Sequence, residues 1–90
     1  MNNSLEQFIE TLELPFEGET QGDKYVVEVD TSNDFSALFN QIDLNKDLHL
    51  TGESKATDSE STFRFTDGYW EVLLQADYDK DKYSLTVEEK

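Results

Sequence analysis

The sequence predicts an α+β fold, a two-layer sandwich in which two helices cover one face of a mainly antiparallel, five-stranded sheet. Two observations predict it. Apolar residues recur at helical spacing in two segments, and apolar and polar residues alternate in five others. The predicted order of elements is α-β-α-β-β-β-β. Because short polar connections join the last four strands, we expect them to form an antiparallel meander. We expect residues 1–90 to form a single domain.

Each predicted helix carries one apolar stripe at spacings i, i+3, i+4 and i+7. The stripe of the first helix is Leu5, Phe8, Ile9 and Leu12. The stripe of the second helix is Phe35, Leu38, Phe39 and Ile42. Asn3 with Glu6, or Ser4 with Gln7, offers a capping box at the start of the first helix, and Pro15 ends it. We therefore expect two short amphipathic helices that bury one side each.

The five predicted strands cover residues 25–30, 48–50, 62–66, 70–77 and 83–88. The last two form a hairpin around the polar run from Asp79 to Lys82. Asp67-Gly68 predicts a two-residue turn before that hairpin, because both residues tolerate positive φ. Residues 17–23 and 52–59 are rich in Gly or in Ser, Thr and Asp, which is typical of loops.

The apolar phase of these elements predicts the core. Its residues are Leu5, Phe8, Ile9, Leu12, Tyr25, Val27, Val29, Phe35, Leu38, Phe39, Ile42, Leu48, Leu50, Phe63, Phe65, Trp70, Val72, Leu74, Tyr83, Leu85 and Val87.

The charge of the chain is strongly negative. Twenty-one acidic residues against seven basic ones give a formal net charge of -14, beyond the magnitude of about 2–8 typical of a small soluble domain. Direct binding to nucleic acid or to an anionic membrane surface is not expected, because both require a basic face. A basic protein is the complementary partner. The alternative is that the charge serves solubility alone.

The sequence offers little for catalysis, and we predict no enzyme and no cofactor. His49 is the only histidine and lies on the polar phase of a strand, where nothing predicts an orienting partner. The chain has no Gly-rich phosphate loop and no nucleophile elbow. It has no cysteine and no long apolar run, so we expect a cytoplasmic protein that does not span a membrane.

One acidic series resembles a calcium-binding loop. Asp77, Asp79, Asp81 and Glu88 occupy positions 1, 3, 5 and 12 of such a loop. However, Lys82 stands where the loop needs glycine, and the flanking alternation favours strands. The hairpin is therefore the main prediction, and the calcium site is a weak alternative.

The polar phase of the predicted sheet is a candidate partner surface. Its carboxylates are Glu28, Asp30, Glu71, Asp77 and Glu88. Val26 and Leu73 interrupt them. Carboxylates around a few exposed aliphatic residues suit a groove rimmed by Arg and Lys, because charge accelerates association and apolar contacts slow dissociation. The alternative is an ordinary solvated sheet face.

The order of elements and the charge resemble those of a known family. The second half carries the likeness, in segments 47–51 (DLHLT), 61–66 (STFRFT) and 70–77 (WEVLLQAD) with an acidic loop between the first two. Over about 60 residues this pattern resembles the phage uracil-DNA glycosylase inhibitors, which act as protein mimics of DNA.

The resemblance implies a set of partner-binding residues. In that family, acids on the first strand and at the start of the second helix stand in for DNA phosphates. Glu28, Asp30 and Asp34 are the matching positions here. A pocket between the second helix and the sheet receives an apolar side chain of the enzyme. The residues that match its lining are Phe35, Leu38, Phe39 and Leu50.

These observations predict a non-enzymatic acidic protein that occupies the basic nucleic-acid groove of another protein. A uracil-DNA glycosylase inhibitor or a related phage anti-defence protein fits this prediction, with a DNA-repair or defence enzyme as the partner. Glu71 and Leu73 complete the predicted surface. The alternative function is a small acidic adaptor or chaperone-like domain that binds a protein through an apolar surface.

Overall fold

The computed structural model describes residues 3–52 and 54–89 as two helices and seven strands. In chain order they are α1 (Asn3–Leu12), β1 (Glu19–Gln21), β2 (Lys24–Val29), α2 (Ser32–Asp43), β3 (His49–Leu50), β4 (Lys55–Ala56), β5 (Glu60–Thr66), β6 (Trp70–Asp77) and β7 (Lys82–Glu89). The strands form one sheet in the order β1-β2-β7-β6-β5-β3, and β4 also pairs with β5. Every described pair is antiparallel. The α+β class is confirmed, but the sheet has seven strands where we predicted five.

The first additional strand is β1, within the segment predicted as a loop. It pairs with β2 so that Gln21 lies opposite Lys24, which leaves Gly22 and Asp23 as a two-residue turn. Gly22 has a φ of 65°, a left-handed conformation that glycine adopts without cost. The loop prediction failed because all three residues of β1 are polar and exposed, so no alternation marks the strand.

The second additional strand is β4, in the other predicted loop. Leu50 of β3 lies opposite Phe65 and Lys55 of β4 lies opposite Thr62, so both short strands run along β5. Between them, the backbone N–H of Arg64 donates to Ser54 Oγ at 3.1 Å. β3 and β4 therefore act as one interrupted edge strand, in which a side chain replaces part of the backbone ladder.

The turn before β6 is centred one residue later than predicted. Residues 67–69 separate β5 from β6, and Gly68 has a φ of 99°. Asp67 Oδ1 accepts hydrogen bonds from the backbone N–H groups of Tyr69, at 2.9 Å, and Trp70, at 2.7 Å. The backbone N–H of Asp67 also donates to the carbonyl of Trp70 at 3.4 Å, so Gly68 and Tyr69 form the tip of the turn. The Asp67 side chain thus stabilises a two-residue turn that is shifted by one residue.

Both helices pack on the same face of the sheet, which we call the covered face. Phe8 of α1 stacks on Trp70, with ring centroids 5.2 Å apart. Phe35 of α2 stacks on Tyr83 at 5.3 Å. Trp70 and Ala76 lie on one side of β6, because they are an even number of residues apart. Ala76 lies opposite Tyr83 in the register, so Trp70 and Tyr83 share one side of the sheet. The predicted capping box at Asn3 or Ser4 lies outside the described side chains.

The predicted core is confirmed with one exception. Leu50 is 52% exposed, because β3 lies at the edge of the sheet, on the far side of β5 from the central strands. Ala76 and Ser61 are buried as well, although we did not predict them. None of the helices in the described part of the chain is long and apolar enough to cross a membrane.

Candidate functional site

A shallow groove of about 280 Å³ lies between α2 and the sheet. Its lining residues are Ser32, Phe35, Ser36, Phe39, Asn40, Phe63 and Tyr78. The ring of Phe39 meets that of Phe63 edge to face, with centroids 4.9 Å apart. The floor is therefore aromatic and held by ring contacts, and short polar side chains of α2 form one rim.

The start of α2 fixes one wall of this groove. Thr31 is the N-cap: its Oγ1 accepts from the backbone N–H of Asp34 at 3.2 Å, and its carbonyl accepts from the N–H of Phe35 at 3.1 Å. The Asp34 carboxylate lies in the first turn of α2, where the helix dipole favours a negative charge. The cap thus positions an acid and an aromatic ring next to each other.

The turn between β6 and β7 supplies the opposite wall. The backbone N–H of Tyr78 donates to the carbonyl of Ser59 at 2.9 Å. Its phenol shares a 2.9 Å hydrogen bond with Ser61 Oγ, and its ring meets that of Tyr83 edge to face. Burial raises the pKa of the Tyr83 phenol, and the Asp81 carboxylate at 3.3 Å raises it further. Tyr78 is 38% exposed, so this wall presents an aromatic side chain to solvent.

Many carboxylates lie at the same end of the molecule as the groove, which we call the acidic end. This end comprises the last residues of β2, the first turn of α2, the β4–β5 turn with the start of β5, and the β6–β7 turn with its flanking residues. Its acids are Glu28, Asp30, Asp34, Asp58, Glu60, Asp77, Asp79 and Asp81. Lys80 and Lys82 are its bases. The acidic end is thus strongly negative. Its residues Glu28, Glu60, Asp77 and Lys82 are at strand positions on the side of the sheet opposite the helices.

The predicted pocket residues separate into two groups. Phe35 and Phe39 line the groove. Leu38 is fully buried in the core, and Leu50 pairs with Phe65 at the sheet edge, so neither lines it. Leu38 points straight at the sheet because it is central in the apolar stripe of α2. Leu38 and Leu50 are therefore not part of this groove.

Two lining residues came from outside the predicted set. Phe63 was predicted as core, and its partial burial leaves it part of the groove floor. Tyr78 follows the alternating run of β6 and carries no periodic signal. Only the hairpin geometry brings Tyr78 to α2, so the sequence pattern could not have identified it.

The predicted acids also separate. Glu28 and Asp30 line a depression of about 380 Å³ together with Val29, Lys82 and Tyr83, at the acidic end. Glu71 lies near the other end of the strands, where its carboxylate forms an ion pair with Arg64. Leu73 is half-buried two residues further along β6. Glu71 and Leu73 are therefore not part of the site at α2.

The side of the sheet opposite the helices, which we call the open face, is far less acidic than the remainder. The strand register assigns to it the acids Glu19, Glu28, Glu60, Glu71, Asp77 and Glu88. It also assigns to it four of the seven bases: Lys24, Lys55, Arg64 and Lys82. Only -2 of the formal charge of -14 thus belongs to the open face, and the rest of the chain carries -12.

The weak calcium candidate is not assembled. Asp77 lies opposite Lys82 at one end of the β6–β7 hairpin, whereas Glu88 lies opposite Glu71 near the other end. Six residues of extended strand separate these two positions, a distance of about 20 Å. Among the described residues, no group of three or more His, Cys, Asp or Glu side chains is arranged to hold a metal ion. The four carboxylates therefore do not form the predicted site.

Comparison of the chain with protein-family models, with curated proteins and with solved structures found no significant match. The resemblance to glycosylase inhibitors therefore stays a prediction.

Proposed function

We propose that the chain is a non-enzymatic DNA mimic that binds the basic nucleic-acid groove of a partner protein, such as a DNA-repair or defence enzyme of the cytoplasm. One observation carries the proposal: most of the negative charge lies away from the open face, and part of it lies at the same end of the molecule as an apolar groove. A basic groove attracts such a surface through the same charges that attract DNA phosphates.

The two parts of the site have different roles in this proposal. Asp30 and Asp34 present carboxylates at the start of α2, where basic side chains of a partner would otherwise hold phosphates. The groove lined by Phe35, Phe39 and Phe63 takes one apolar side chain of the partner. Charge then sets the association rate, and the apolar contact slows dissociation.

The resemblance makes a uracil-DNA glycosylase the first partner to test. The purified chain is added to a glycosylase assay at about 0.05 M and about 0.5 M NaCl, with heat-denatured protein as the control. We expect stoichiometric inhibition at low salt that weakens at high salt, because salt screens carboxylates from a basic groove.

A matched pair of variants locates the surface. We expect Asp30→Asn with Asp34→Asn to weaken inhibition roughly tenfold or more. Glu19→Gln with Glu88→Gln removes the same charge from the open face, and we expect it to change inhibition by less than about twofold.

Two results would count against the proposal. The first is equal weakening by both double variants. The second is an absence of salt-sensitive binding both to glycosylase and to basic proteins captured from a host lysate. Binding that salt leaves unchanged would favour the adaptor alternative, since apolar contacts are not screened.

A further inference from the structure

We propose that the open face is a self-association surface on which a second copy of this chain docks, so that the helices and the groove beside α2 stay exposed in both copies. The inference does not rest on the proposed function.

The centre of the open face is apolar. Val26, Thr86, Leu73 and Arg64 lie side by side across β2, β7, β6 and β5. Val26 and Leu73 are half-buried, and no helix of the described chain lies over them. Thr86 lies between the two in the strand register, so the row offers a largely apolar strip that a second sheet can cover.

Charge selects the second copy as the occupant. Two chains with a net charge of -14 each repel one another, and the repulsion is weakest where the surface is nearly balanced. The open face is that surface, because it combines four bases with six acids. A strongly basic partner would gain more from the remainder of the molecule, which carries most of the negative charge.

The two end rows of the open face are partly complementary in charge. A two-fold axis across the strands, between the rows of Leu73 and Gln75, reverses the order of the rows in the second copy. Lys82 of each copy then faces Glu88 of the other, because these residues lie near opposite ends of β7. Lys24 faces the region of Asp30 in the same way. Glu71 faces Asp77, and the central row of Val26 and Leu73 faces the row of Glu28 and Gln75. Within each copy, Glu71 is also paired with Arg64, and Glu88 with Lys24.

The size of the face predicts a weak dimer. Four strands about 4.8 Å apart and about 26 Å long cover about 500 Å² on each copy. The total of about 1,000 Å² is at the lower limit for a specific interface. We therefore expect dissociation constants in the high micromolar range, and association that strengthens with salt because screening reduces the net repulsion.

Sedimentation equilibrium tests the proposal, from low micromolar to near-millimolar protein at about 0.05 M and about 0.5 M NaCl. We expect a monomer–dimer equilibrium in which the dimer fraction is larger at high salt. Salt is thus expected to act in opposite directions on self-association and on binding to a basic partner, so a failure of one proposal is distinguishable from a failure of the other.

A variant pair maps the surface. Leu73→Thr keeps the net charge and a strand-compatible side chain, and we expect it to weaken the dimer roughly tenfold. Leu44→Thr is the control, because Leu44 is 75% exposed at the end of α2 and lies outside the open face. Circular dichroism of both variants checks that they fold.

A charge swap tests the two-fold arrangement. We expect Lys82→Glu to weaken the dimer clearly more than Lys80→Glu, which makes the same charge change in the β6–β7 turn outside the face. Lys82→Glu combined with Glu88→Lys restores the net charge, and we expect it to restore the dimer. A monomer at every concentration and salt, a dimer unaffected by Leu73→Thr, or a swap without rescue would overturn the proposal.

Discussion

The two faces of the sheet are formed by the same alternating strands but differ in composition and burial. On the covered face, the alternating residues meet two helices and form a core in which Val27, Val72 and Leu85 are fully buried. On the open face, the intervening residues form rows of threonine, serine and paired charges around Val26 and Leu73. One face therefore provides most of the stability, and the other collects most of the positive charge.

This difference changes the interpretation of the net charge. Acids are spread evenly along the chain, but they are not spread evenly over its surface. Four of the seven bases lie on strands at positions that face away from the helices, where Lys24 pairs with Glu88 at 3.4 Å and Arg64 pairs with Glu71. The surface left without compensation is the helical side and the ends of the strands.

The largest expected effect is on stability, when one leucine is truncated on each face of the sheet. Leu38→Ala removes a fully buried side chain between α2 and the sheet, and we expect a loss of about 3 kcal/mol in the free energy of unfolding. Leu73→Ala removes a half-buried side chain, with an expected loss of about 1 kcal/mol. Urea denaturation of both variants measures the difference. Equal losses would mean that the open face is covered in solution.

Much of this contrast was predictable from the sequence, because it depends on local periodicity. The helices carry apolar residues at helical spacing, and the long strands β5, β6 and β7 carry them at every second position. These patterns predict both the type of each element and the side that it buries. β1 and β4 are two or three residues long and exposed, and strands that bury nothing leave no such pattern. β3 was predicted, because Leu48 and Leu50 flank His49, although both residues of the strand are exposed.

The candidate site was predictable only in part, for a related reason. Phe35 and Phe39 belong to a helical stripe, and the stripe implied that they face the sheet. Which of them stays accessible depends on where α2 lies over the sheet, and Tyr78 reaches the groove through a turn. Such distances between elements distant in sequence are not encoded in local periodicity.

The next expected effect is at the connection between the helical layer and the sheet. Gly18 donates its backbone N–H to Tyr25 Oη at 2.7 Å, and a Cβ there would lie 2.3 Å from the carbonyl oxygen of Val26. Because the close neighbour is backbone, Gly18→Ala is expected to lower the free energy of unfolding by about 2 kcal/mol.

Gly22→Ala is the matched control for this prediction. Nothing lies within 4 Å of a Cβ at Gly22, and only its positive φ disfavours alanine. We expect a loss of about 1 kcal/mol, again from urea denaturation. A larger loss for Gly22→Ala than for Gly18→Ala would contradict the close approach at Gly18.

A smaller effect compares one threonine at the acidic end with one on the open face. Thr31→Ala removes the side chain that caps α2, and we expect a loss of about 1 kcal/mol together with weaker inhibition, because Asp34 and Phe35 follow the cap. Thr86→Ala lies in the apolar row of the open face, and we expect a change within about 0.5 kcal/mol. Thermal denaturation and the glycosylase assay measure both variants. If Thr86→Ala weakened glycosylase inhibition and Thr31→Ala did not, the partner would bind the open face instead.

The smallest expected effect is a pH dependence at Tyr83. Burial first, and Asp81 second, raise the pKa of this phenol above its ordinary value of 10.0, so the folded state favours the protonated form. The stabilisation of the folded state that goes with this raised pKa is complete below pH 10. It is lost as the pH rises through the folded-state pKa, because Tyr83 loses its proton at a lower pH in the unfolded chain. Tyr83→Phe keeps the aromatic ring and has no proton to lose.

We therefore expect the difference in urea midpoint between the wild type and Tyr83→Phe to shrink between about pH 8 and about pH 10.5. Tyr69→Phe is the comparison, because a hydrogen bond to Glu89 raises the pKa of Tyr69, but that side chain is 56% exposed. The difference in urea midpoint between the wild type and Tyr69→Phe should shrink less over this pH range, since solvent screens the exposed interaction of Tyr69 with Glu89. The same narrowing in both variants would mean that burial is not the main cause at Tyr83, and that the β6–β7 turn is more open than its contacts with α2 imply.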